Sequence, residues 1–283
     1  MKKIQRVNWH EAAVCAMQIE LRDYAHLLDF YPEYVLGKNS YRIDLLVIRK
    51  LSDSPIPKNI ARIFTTYNIF EIKGVGSSVT PDSYYKANAY AGLLISSQGK
   101  RNQYTRQDIS LSFLGSCYPR KLFRHLTKDC KLTLEKISPG VYHIHKEMYA
   151  TQVLVTSELP PEENLYLHCM RKYLSGETLE KRLSDDYEKH MGQDIYVRYM
   201  NQVTNASFNS KGESTMVCEG ILNICGTSSK EIEERAIKAT EEIYIPQINK
   251  LAEENERYSS QINKLTEDNE RLQHLLSSHG IAF

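Results

Sequence analysis

Apolar positions along the chain follow two rhythms, and these separate a mixed front section from a helical rear. From Trp9 to about Leu28 the residues Ala13, Met17, Leu21 and Leu28 recur near helical spacing, which predicts a helix ending before Tyr31-Pro32. "YRIDLLVIRKL" is dense in Ile, Leu and Val and bounded by Gly37-Lys38-Asn39-Ser40 and Ser52-Asp53-Ser54-Pro55, so it reads as a strand. "IARIFTTYNIFEIKG" continues in β-forming residues and predicts one or two more. After Gly74 to Pro81, "DSYYKANAYAGLLISS" predicts a helix capped by Asp82 or Ser83. "DISLSFLGS" predicts a buried strand and "PRKLFRHLTKD" a helix opened by Pro119. "GVYHIHKE" and "ATQVLVTSEL" predict two strands after a Pro139-Gly140 turn. The order α-β-β-α-β-α-β-β predicts an α/β protein, a mixed central sheet flanked by helices.

Beyond Pro160-Pro161 the texture becomes helical, in "EENLYLHCMRKYL" and "TLEKRLSDDYEKHMGQDIYVRYMNQV". The chain therefore divides into an α/β domain over 1–160, a helical connector over 161–229 and a long charged helix over 230–283. That last section contains a repeat: "QINKLAEENERYSS" is followed directly by "QINKLTEDNERLQH", each two heptads long. Placing Ile248 at position a puts Ile248, Asn255, Ile262, Asn269 and Leu276 on one row, with Leu251, Tyr258, Leu265 and Leu272 at d. An Asn at a pairs best with an Asn at the same level of a parallel partner, so residues 248–276 predict a parallel coiled-coil homodimer. The alternative is an amphipathic helix packed on its own domain, although a two-in-seven seam is narrow for that.

Composition adds limits. The 283 residues are 41% hydrophobic and 25% charged, ordinary for a globular protein with a real core. The N-terminal stretch soon reaches His10 and Glu11 and has no signal-peptide apolar region, and no apolar run is long enough to span a membrane. Six cysteines without a CxxC pair predict reduced thiols and a cytoplasmic location. The net charge of +1 conceals an asymmetry: residues 1–150 hold 22 Lys+Arg against 13 Asp+Glu, leaving 14 against 22 for the rest. A basic front half suits a polyanionic partner, or is simply an uneven solvated surface.

The chemistry concentrates where charges interrupt apolar strands. In "FEIKG", Glu71 and Lys73 are two apart and share one strand face, while Phe70 and Ile72 share the other. Asp44 lies inside "RIDLLVI" and must be paired, hydrogen-bonded or bound to a cation. Two carboxylates near each other repel unless a cation lies between them, and Mg²⁺ suits them because it takes hard oxygens and keeps several waters. Lys73 could then orient or activate the attacking water. Gly74-Val75-Gly76 lacks the third glycine of GxGxxG, and neither a Walker A sequence nor a G-x-S-x-G elbow occurs. His143 and His145 share a strand face but lack a third ligand at zinc spacing.

An Asp followed by Glu-x-Lys on a neighbouring strand resembles the signature of the PD-(D/E)XK nuclease superfamily, in its bacterial recombination-promoting or transposase-like branch. The resemblance covers about residues 8–160 and implies a restriction-endonuclease-like α-β-β-β-α-β core. It implies Asp44 and Glu71 as ligands of Mg²⁺ or Mn²⁺, the Ile72 backbone carbonyl as a further ligand, and Lys73 as a catalytic residue. A glutamate on the first helix often joins them, here Glu20, with Glu11 competing for the role. Lys86 and Tyr90, four apart on the following helix, could hold a phosphate beside the metal. The 26 residues between Asp44 and Glu71 require an extra strand or loop at "SPIPKNIARIFTT". The function implied is metal-dependent hydrolysis of nucleic acid, DNA rather than RNA. An inactive nuclease fold serving as a nucleic-acid-binding or scaffold dimer is the alternative, and a nucleotide-binding α/β enzyme comes third.

Overall fold

The computed structural model describes residues 7–36, 41–50, 54–97, 104–171 and 177–209, together with Thr266. Helix α1 (Trp9–Glu20) begins where the Asn8 side-chain oxygen accepts the Glu11 N–H at 3.2 Å. It is shorter than the apolar spacing predicts. A 3₁₀ turn over Arg22–Leu27 follows it, and Leu28 opens strand β1 (Leu28–Val35). β1 lies at the sheet edge, where Pro32 is tolerated because only one flank is paired. β2 (Arg42–Arg49) runs antiparallel to β1, and β3 (Tyr67–Ile72) antiparallel to β2. Between them the stretch that could have held an extra strand is a loop with one buried 3₁₀ turn, Asn59–Ala61. Buried Asn68 fastens that loop to the sheet: its amide donates to the Val47 and Thr65 carbonyls, and its oxygen accepts from the Thr65 N–H and the Ser110 hydroxyl. With all of its hydrogen-bonding capacity used, the buried amide escapes the usual penalty of about 1–3 kcal/mol for an unmet polar group.

α2 (Pro81–Ser97) carries the chain to β4 (Ile109–Gly115), parallel to β3. The Thr80 hydroxyl, ahead of the predicted Asp82 or Ser83, accepts the Ser83 N–H at 3.3 Å and leaves Pro81 at the first helical position. α3 (Arg120–Arg124) passes into a π-helical turn over His125–Asp129. β5 (Thr133–Ser138), β6 (Val141–His145) and β7 (Ala150–Val155) complete a seven-stranded mixed sheet in the order β1-β2-β3-β4-β7-β6-β5. β5 and β1 are strands that the apolar pattern does not predict.

Each sheet face has its own core. On one, Leu46, Ile69 and Phe113 meet Tyr84, Ala87, Ala91 and Leu94 of α2, spaced three, four and three as a helix stripe requires. On the other, Leu45, Val47, Phe70 and Ile72 join Ala13 and Met17 of α1. Three more helices extend that second core: α4 (Leu165–His168), α5 (Glu177–Lys189) and α6 (Asp194–Asn209), through Tyr166, Leu183, Tyr199 and Met200. α4, α5 and α6, within the stretch 161–229 expected as a connector, thus pack on the same core as α1. The chain divides into units Met1–Cys225 and Gly226–Phe283, and the expected coiled coil over 248–276 lies outside the described residues, Thr266 apart. No helix among the described residues is long and apolar enough to cross a membrane.

Candidate active site

The ladder between β2 and β3 sets Leu45 opposite Phe70, and one step further along brings Asp44 level with Glu71 on a shared face. At that point the backbone pairing ends. The Lys73 N–H turns to the Leu114 carbonyl of β4 at 2.8 Å, and the Ile72 N–H faces β2 beyond the last paired residues, Leu45 and Phe70, where it needs an acceptor. Asp44 supplies one: its Oδ2 accepts the Ile72 N–H at 2.7 Å. Its Oδ1 accepts no hydrogen bond among the described residues.

Glu71 is 2% exposed and holds two lysines. Lys73, two residues on and therefore on the same side, donates to Oε1 at 2.7 Å. Lys86 reaches down from α2 to Oε2 at 2.9 Å and Oε1 at 3.2 Å. The Lys86 ammonium also lies 5.3 Å from the Tyr90 ring centroid, and the Tyr41 ring packs 6.2 Å from Tyr90. The sequence expectation that Glu71 projects with Lys73 therefore corresponds to a contact, and Lys86 and Tyr90 do share a helix face.

Burial, and then the neighbouring charge of Glu71, raises the Asp44 carboxyl above its ordinary range, against the pull of the Ile72 N–H, His10 and Lys86. Burial by itself would lower Lys86. The hydrogen bond and charge of Glu71, with Asp44 behind them, outweigh it and hold the ammonium above its ordinary value. The cluster is thus two carboxylates and two lysines at the end of two strands, with His10 near enough to act on Asp44.

Glu20 does not join it. It is the last residue of α1, and its carboxylate accepts Lys58 Nζ at 2.9 Å and the Tyr166 N–H at 2.7 Å. Burial raises its carboxyl against the opposing effects of Lys58 and the Tyr166 and Leu167 N–H groups. His10 is the α1 residue whose charge reaches Asp44, and at about 1.5 Å rise per residue Glu20 lies about 15 Å further along the helix. Glu11, its competitor, accepts from Gln202 of α6 at 3.0 Å. His145 pairs with Glu135 at 2.6 Å, while burial and then His145 lower His143, so the two histidines sit apart from the cluster as packing and surface residues.

The glycines after β3 make its exit turn. The Ser77 N–H donates to the Gly74 carbonyl at 2.9 Å, and Gly76 at φ +83° takes the left-handed position that such a turn gives to glycine. A side chain at Gly74 would meet Trp9, 3.4 Å from its Cβ, and this close approach sets the start of α1 against the end of β3. Sequence reasoning missed His10, whose only signal was its place on the first helix, and Tyr41. Lys86, expected beside a phosphate, is ion-paired with Glu71, a partner that no local spacing signals.

Among the described residues no three His, Cys, Asp or Glu side chains form a metal-holding group. A cation at Asp44 and Glu71 would therefore rest on two carboxylates, the Ile72 carbonyl and water. Such an all-oxygen, partly hydrated set is one that Mg²⁺ accepts, and Asp44 Oδ1, which accepts no hydrogen bond among the described residues, offers it a ligand.

Fold and site together define an α/β protein with a carboxylate–lysine cluster at the ends of its second and third strands. No protein-family model, no curated protein and no solved structure matches the chain.

Proposed function

We propose that the chain is a metal-dependent nuclease of the PD-(D/E)XK type, hydrolysing nucleic-acid phosphodiester bonds in the cytoplasm. The observation that carries this is the meeting of Asp44 with Glu71 and Lys73 at one end of two adjacent strands. Support comes also from the element order α1-β1-β2-β3-α2-β4, which is the core order the resemblance implies, with Asp44 on the second strand and Glu71 on the third. The same resemblance favours DNA over RNA, and the basic excess of residues 1–150 favours a polyanion.

Asp44 and Glu71 are the residues that would hold Mg²⁺ or Mn²⁺. When bound, the ion would polarise the phosphoryl group and make a water more acidic. Lys73 then turns from Glu71 to orient the attacking water, and Lys86, backed by Tyr90, offsets phosphate charge. Because the Asp44 carboxyl is raised, it keeps its proton to higher pH than an ordinary aspartate, and the ionised form needed for cation binding is lost earlier on acidification. A coiled coil over 248–276 would pair two such domains in a parallel homodimer.

The test is cleavage of plasmid DNA by the pure protein in Mg²⁺ or Mn²⁺, beside Asp44→Ala and Lys73→Ala. Both variants should lose about 100-fold or more of the rate. Undiminished cutting by both would sink the site assignment.

One observation favours a second reading, a catalytically inactive dimer that binds nucleic acid. Both Glu71 oxygens already accept from lysines and Asp44 already accepts the Ile72 N–H, so each carboxylate has a partner without a cation. That protein would bind DNA with steep salt dependence, indifferent to metal and to Asp44→Ala.

A further inference from the structure

α3 does not close as an α-helix. Over His125–Asp129 it widens into a π-turn, in which the Cys130 N–H donates to the His125 carbonyl five residues back at 3.1 Å. At about 100° per residue, α-helical positions five apart would stand about 140° apart around the axis. The wider turn brings Cys130 back to the side of His125. Its Sγ lies 3.4 Å from His125 Nε2, and His125 Nδ1 lies 2.8 Å from an Asp129 carboxylate oxygen. From α2, the Tyr85 hydroxyl sits 2.8 Å from the same Nε2 and 3.8 Å from the sulfur. Thiol, imidazole and carboxylate follow one another as nucleophile, base and orienting acceptor, the sequence of groups by which a cysteine is activated. Asp129 and Tyr85 are exposed and Cys130 half-buried, so the cluster opens to solvent. π-turns recur at functional sites for this reason: one extra residue re-aims side chains.

We propose that Cys130 is a reactive thiol and a site of covalent modification by disulfides. The Asp129 carboxylate accepts the His125 Nδ1–H and so leaves Nε2 to take the thiol proton. The thiolate attacks one sulfur of the incoming disulfide, a Cys130–sulfur bond forms as the old S–S bond breaks, and the departing thiolate recovers the proton from Nε2. One disulfide and one thiol become a mixed disulfide and a released thiol, with no other oxidant. A thiol alone is ionised only to roughly a few per cent at neutral pH, so a base within reach leaves room for a gain of about tenfold or more.

The other described cysteines are built differently. Burial pushes Cys15 up to about 11 and Cys169 up to about 12, which leaves both inert. Cys117 is half-buried, with the Ser116 hydroxyl 3.8 Å from its sulfur and no imidazole beside it among the described residues. It is an internal reference on the same molecule.

The experiment uses the full chain carrying Cys218→Ser and Cys225→Ser. It is treated with limiting dithiobisnitrobenzoate, an aromatic disulfide, at neutral pH, and adducts are mapped by mass spectrometry over time. Cys130 should be modified at least about tenfold faster than Cys117. Asp129→Asn and His125→Asn should remove that advantage and leave the Cys117 rate unchanged. Should His125→Asn fail to fold, Asp129→Asn decides, since the exposed Asp129 side chain has little packing to lose. A Cys130 rate no higher than that of Cys117, or one unmoved by Asp129→Asn, overturns the proposal.

Discussion

At the residue scale, Asp44 carries a cost that its function would explain. Its carboxyl is raised in the folded protein, by burial first and by Glu71 second, while in the unfolded chain it takes the ordinary value of about 3.9. The folded state therefore holds the proton more tightly. Stability is lost as pH rises from about 4 through the raised value, and the loss is complete above it. Asp44→Asn keeps an acceptor for the Ile72 N–H and removes the charge, so it should melt higher than the parent at neutral pH, with the difference closing towards pH 4. Its cleavage should be lost at the same time. A lower melting temperature at neutral pH would show that the ionised carboxylate is stabilising. Burial raises the Glu20 carboxyl as well, but there a lysine is its partner. Lys58→Met strands a carboxylate whose side chain is 6% exposed, and should destabilise by about 3–5 kcal/mol in urea unfolding at neutral pH. The loss should shrink in acid, where Glu20 takes up a proton. Glu20→Gln should leave metal-dependent cleavage near the parental rate, which a ligand of the site could not do.

At the element scale, the two strands that the sequence did not announce are β1 and β5, and these are the two edges of the sheet. An edge strand meets a neighbour on one side only and keeps water on the other, so it need not be apolar. β1 carries Pro32 and Glu33, the latter at φ +50°, and β5 carries Glu135 and Lys136 among largely exposed positions. The interior strands β2, β3, β4, β7 and β6 each bury at least half of their residues, which makes them readable from the sequence. Gly140 in the turn between β5 and β6 shows how tightly that edge is seated. It has φ +75°, and a Cβ there would lie 2.7 Å from the Leu159 backbone nitrogen and 2.8 Å from the Val155 carbonyl oxygen. Gly192 has φ +88° in open space. Gly192→Ala should therefore cost only the left-handed strain of about 1–2 kcal/mol. Gly140→Ala should cost clearly more, because backbone cannot yield as a side chain can. Equal losses in denaturant titrations would mean that the turn moves freely.

At the scale of the whole molecule, assembly is the open property that a simple measurement reaches. Truncation at about Tyr244 removes the heptads of 248–276 and should turn a dimer into a monomer in sedimentation; an unchanged mass refutes the coiled coil. What the sequence determined by itself is short-range. Period-two alternation put Glu71 and Lys73 on one side of a strand, helical spacing put Lys86 beside Tyr90, and the 14-residue repeat set out the heptads. Those relations hold within a few residues of backbone, where local geometry dictates which side chains share a face. Tertiary structure decided the rest. Strand register brought Asp44 level with Glu71 across 26 intervening residues, helix packing delivered Lys86 to Glu71 and the charge of His10 to Asp44, and the loop after β2 carried Lys58 to Glu20. The same packing gathered α4 to α6 into the core that α1 begins. These partners lie far apart along the chain, and which of several equally spaced charges meet is set by register and close packing rather than by any local pattern.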